Sequence, residues 1–131
     1  MNRRSLIFAV AVLTLSASPA LADPCTGALP RPGSTFTGAV RYVGDGDSLC
    51  LGPSRSPASW IEVRLADFNA PELHDQGGAK AKRRLNAIAM GRTLVCRAKH
   101  RSYDRIVARC TLNGRSVGTL LRKSGGVEGG R

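Results

Sequence analysis

The 131 residues suffice for one small domain and exclude a multidomain architecture. Twenty Lys and Arg against nine Asp and Glu give a net charge of +11. That balance disfavours basic partners and favours polyanions, through steering and the release of counterions from phosphates. A basic soluble surface and attraction to anionic lipid carry the same signature, and charge alone does not separate them.

The N-terminus reads as a targeting segment. Arg3 and Arg4 precede the apolar run Leu6 to Leu15, and Ala20-Leu21-Ala22 is a small-x-small cleavage site. This is the layout of a secretory signal peptide over 1–22, cut after Ala22. The apolar core is far shorter than the roughly 20 residues a membrane span needs. Removal of 1–22 takes two of the twenty basic residues and none of the nine acidic ones, leaving +9. The expected location is secreted or periplasmic, with no stable membrane association after cleavage. All four cysteines follow the cut, and an even count in an oxidising compartment predicts two disulfides. Cys96 and Cys110 lie symmetrically about Tyr103, so an antiparallel hairpin centred there brings them face to face. Cys25–Cys50 follows by elimination. No C-x-x-C spacing supports a zinc site.

Residues 23–35 are rich in Pro and Gly and read as an irregular arm. Strands are predicted at Phe36–Val43, Asp47–Leu51 and Trp60–Phe68, the last stopped by Pro71. In "GGAKAKRRLNAIAMG", Ala81, Leu85, Ile88 and Ala89 form a narrow apolar stripe at helical spacing, and Gly91 ends it. Strands follow in "RTLVCRAK" and "RIVARCTL", where Ile106, Ala108, Cys110 and Leu112 share one face. "SVGTLLRKSGG" reads as a short final helix. This order predicts a mainly β (α+β) domain over 36–127, with a tail at 128–131. Its architecture is a five-stranded oligonucleotide/oligosaccharide-binding (OB) barrel with a helix between strands three and four.

Four clusters can carry chemistry. "GDGDS" places Asp45 and Asp47 around a glycine at a strand junction, where carboxylates can hold a hard cation such as Ca²⁺, although Asp-Gly is also an ordinary turn. "VRLADFNAPE" joins Arg64, a fork for phosphate oxygens, to Glu72, a carboxylate able to orient or deprotonate water. Arg105 in "YDR" can supply a second guanidinium. Lys80, Arg83 and Arg84 on the helix can track a phosphate backbone, although a charged outer face explains them equally well.

In combination and order, "GDGDS…VRLADFNAPE…YDR" resembles the staphylococcal nuclease (thermonuclease) family over about Phe36 to Val127. The resemblance implies a monomeric, calcium-dependent nuclease that hydrolyses phosphodiester bonds of DNA and RNA with little sequence preference, using one Ca²⁺ per chain. It implies Asp47 as a metal ligand with Asp45 behind it, Arg64 and Arg105 as phosphate grips, and Glu72 as general base or water-orienting carboxylate. Ser48 stands where the family has Thr, Asp104 where it has Gly, and Asn69 where it has its second acidic calcium ligand. The family's C-terminal helix and stacking aromatics have no counterpart after Gly126. If the third strand continues past Phe68, Asp67 points to the same side as Asn69 and can replace the missing charge. His74 and Asp75 match no motif position and read as loop. The alternative is a catalytically impaired barrel that binds nucleic acid without cleaving it; a third is an envelope protein that binds anionic polymers by charge alone.

Overall fold

A computed structural model describes residues 23–129; the predicted signal peptide lies outside the described residues. Nine elements follow in chain order: β1 (Thr35–Val43), β2 (Ser48–Gly52), a short 3₁₀ turn (Pro57–Ser59), β3 (Ile61–Leu65), α1 (Gly78–Ala89), β4 (Thr93–Ser102), β5 (Arg105–Leu112), β6 (Arg115–Ser116) and α2 (Val117–Lys123). The sheet runs β3-β2-β1-β4-β5-β6, and a parallel β3–β5 pairing closes the first five strands into a barrel. This is the OB-like, mainly β architecture read from the sequence, with α1 between β3 and β4 as expected.

The barrel interior follows from alternation along the strands. Leu49 and Leu51 of β2, Val63 and Leu65 of β3, and Ile106 and Ala108 of β5 point inward, each 1% exposed or less. The α1 stripe closes one end: Ala81, Leu85 and Ala89 are buried and Ile88 packs against the core. β2 is buried on both faces. Its outward Cys50 is covered by the N-terminal arm, which the Cys25–Cys50 disulfide ties down.

Three details depart from the sequence reading. β3 ends at Leu65 rather than Phe68: the N–H groups of Leu65 and Ala66 still bond to Asp47 O and Ala108 O, whereas that of Asn69 bonds to the Glu128 side chain. The two-residue β6 was not foreseen. The β4–β5 hairpin turns over Tyr103-Asp104, with Ser102 opposite Arg105, so its centre lies half a residue beyond Tyr103. On that register alone Cys96 would face Thr111. A bulge at Lys99, between the pairs Ala98–Ala108 and His100–Val107, absorbs one residue and sets Cys96 opposite Cys110. The predicted Cys96–Cys110 disulfide is present, with a Cα–Cα distance of 4.0 Å.

Candidate functional site

The site is built on the outer face of β3 and its neighbours. Glu62 and Arg64 alternate with the inward Val63 and Leu65, so both point out of the barrel, opposite Cys50 and Ser48 of β2. The parallel register sets Val63 beside Ile106 and Arg64 beside Val107, which brings Arg105 alongside Glu62. Barrel closure thus unites two arginines that lie 41 positions apart in the sequence.

Asp47 enters from the β1–β2 turn. Gly46 is needed there: a Cβ would stand 2.5 Å from Ala70 Cβ and 2.6 Å from Ala81 Cβ. Asp47 itself is buried, 5% exposed. Its Oδ2 accepts from the Ala70 N–H at 2.9 Å and from Arg64 Nη2 at 3.4 Å. Asp45 Oδ1 accepts from the Asp47 N–H at 3.0 Å and the Ser48 hydroxyl at 2.8 Å. Burial raises the Asp45 carboxyl, but these hydrogen bonds outweigh it and leave the group below its usual range. Burial and the neighbouring Asp45 charge push Asp47 up to about 6, against the pull of the Ala70 N–H and Arg64.

Asn69 Oδ1 accepts from the same Arg64 Nη2 at 2.8 Å, and Arg64 Nη1 donates to Leu65 O. The Asp47 and Asn69 oxygens therefore lie within 3.4 Å of one atom, Arg64 Nη2. A carboxylate oxygen and an amide oxygen are the hard donors that Ca²⁺ takes, with other positions filled by water or phosphate. Among the described residues no group of three or more His, Cys, Asp and Glu is arranged to hold a metal. Both oxygens are taken by the Arg64 guanidinium, with Asp45 bonded behind Asp47 through the Asp47 N–H.

Asp67 is not part of this cluster. Because β3 stops at Leu65, the alternation that would have turned Asp67 toward Asn69 does not extend to it. Its carboxylate accepts from the Ser116 hydroxyl and lies 3.9 Å from Arg109 Nε, on the α2 side. Glu72 lies on the wall of two hollows. One, of about 320 Å³, is shared with Asp23, Asp45, His74 and Lys82; the other, of about 410 Å³, is shared with Asn69, Asp75 and Glu128. Lys80 and Arg83 are exposed on α1, while Arg84 Nε donates to Ser124 O and links the two helices.

Four residues were missed by sequence reasoning. Glu62 is 9% exposed; burial, a hydrogen bond with Asp23 and the charge of Asp104 push its carboxyl up to about 7, against the pull of Arg105. Its i, i+2 relation to Arg64 was the available signal. His74 lines the Glu72 hollow, where its proximity to Glu72 in the sequence could have placed it. Asp23 and Glu128 reach the site from the two ends of the described chain, and no local pattern announces them. The positive φ in the β4–β5 turn, 59°, falls on Tyr103. Asp104 therefore sits in the turn without left-handed strain.

No family model matches the chain, and a search of curated proteins finds no match.

Proposed function

We propose that the protein is an exported, calcium-dependent nuclease that hydrolyses phosphodiester bonds of DNA and RNA. The observation that carries the reading is Arg64 Nη2 standing between the oxygens of Asp47 and Asn69, with Arg105 on the same outer face. The motif resemblance to the staphylococcal nuclease family, the basic charge and the two disulfides support it from independent directions.

In this reading Arg64 and Arg105 bind the scissile phosphate and offset the charge that grows on its oxygens in the transition state. Glu72 orients a water and takes its proton as the water oxygen bonds to phosphorus. The bond to the 5′ oxygen breaks, that oxygen takes a proton from solvent as it leaves, and the products are a 3′-phosphate and a 5′-hydroxyl. Ca²⁺ bound by Asp47 and Asn69 would add positive charge beside the phosphate. A site with one carboxylate holds Ca²⁺ less tightly than one with two.

The test incubates the chain from Asp23 onward with plasmid DNA and with RNA, in Ca²⁺ and in chelator. Calcium-dependent degradation is expected, falling by about 100-fold or more in Glu72→Gln. Retardation of the nucleic acid with no degradation in any condition overturns the enzyme and supports a barrel that only binds.

A further inference from the structure

We infer that residues 128 and 129 form a strap that orients the Asn69 side-chain amide, keeping its oxygen toward Asp47 and Arg64 and its nitrogen away. The inference rests on the reading of Asn69 Oδ1 as part of the ligand site. An amide, unlike a carboxylate, has a wrong way round. Reversed, it would aim an NH₂ at the Arg64 guanidinium and offer nothing to a cation. Two contacts fix the orientation found. Arg64 Nη2 donates to Oδ1 at 2.8 Å, and Nδ2 donates to Gly129 O at 2.9 Å.

The strap is held by the same residue that it orients. The Gly129 N–H donates to Asn69 O at 2.7 Å, and the Asn69 N–H donates to Glu128 Oε1 at 3.1 Å. Glu128 also pairs with Arg122 at 3.2 Å, and Arg122 lies over the Phe68 ring and donates to Asp67 O. Gly125, at φ +91°, turns the chain back after α2. Gly129 packs against the 70–71 backbone so closely that a Cβ would stand 2.9 Å from Pro71 N and Cα. Both backbone groups and the side-chain amide of Asn69 are therefore engaged by this segment. A side-chain partner of this kind sets the affinity of a ligand for its cation without touching it.

The test compares the chain from Asp23 onward with a version ending at Val127 and with Gly129→Ala, which collides with Pro71. Hydrogen exchange of the Asn69 side-chain amide, followed by ¹⁵N NMR, is expected to speed up about 10-fold or more in both variants. The remaining amide spectrum serves as the check that the barrel is intact. Unchanged Asn69 exchange in both variants overturns the strap. Calorimetry with CaCl₂ alone is expected to show about 10-fold weaker binding after truncation. In the Asn69→Asp chain the same truncation is expected to cost nothing, because a carboxylate has two equivalent oxygens. An equal loss in both backgrounds overturns the orienting role. If the full chain binds no Ca²⁺ while truncation still releases the Asn69 amide, the strap stands and the metal reading falls.

Discussion

Glu62 sits between Asp23 and Arg105 with a carboxyl raised from an ordinary 4.5 to about 7. Because the folded state holds its proton more tightly than the unfolded chain, Glu62 favours folding at low pH. That contribution is lost as pH rises from about 4.5 to about 7. Glu62→Gln, which can still donate to Asp23, is expected to be more stable than the parent at pH 8 and indistinguishable from it below pH 4, measured by urea unfolding across the range. Equal stability at pH 8 would remove Glu62 as a destabilising buried acid. Arg64 was legible as an outward residue of β3, because strand alternation sets it opposite Ser48. Glu62 was partly legible, through strand alternation with Arg64. Asp67 was misplaced because the alternation argument presumed a strand three residues longer than the one that forms.

Element boundaries were read most accurately where alternation and breakers agree. β5 starts and ends at the residues expected, and the four α1 stripe positions are those that meet the core. The bulge at Lys99 had no sequence signal, since one extra residue in an exposed stretch of β4 leaves the hydrophobic pattern intact. Yet it determines which residue faces Cys110. Deleting Lys99 is expected to regularise the ladder and leave Cys96 opposite Cys110. Deleting Arg97, on the cysteine side of the bulge, moves Cys96 out of register. Thiol alkylation and mass spectrometry should find no reactive Cys96 or Cys110 in the first variant and both in the second. Reactive thiols after loss of Lys99 would show that the bulge is not what aligns the pair.

At the scale of the whole molecule, the two disulfides act on different things. Cys96–Cys110 pins neighbouring strands, whereas Cys25–Cys50 fastens the arm over the outer face of β2 and brings Asp23 to Glu62. The second closes 25 residues of chain. Replacing both Cys25 and Cys50 by Ala is expected to cost about 3–4 kcal/mol in urea unfolding, on the chain-entropy account. A loss below about 1 kcal/mol would mean that the arm is held by its other contacts, such as Gly27 N–H to Trp60 O at 2.8 Å. Two disulfides are at home in an oxidising compartment, and among the described residues no helix is long and apolar enough to cross a membrane.

The sequence by itself determined the barrel class and the α1 stripe, and it indicated two disulfides among the four cysteines. The first two rest on local spacing, and local spacing is written in the chain. Tertiary structure alone decided that β3 stops early and sends Asp67 to Ser116 and Arg109. It also decided that Arg105 comes beside Glu62, and that Asn69 is grasped by residues 128 and 129. Those outcomes depend on barrel closure and on where two distant chain ends return, contacts between segments whose separation no periodicity records. Asn69 carries both lessons: a neutral amide among charged neighbours can be read from one line of sequence, but the glycine carbonyl that its Nδ2 meets lies 60 positions away.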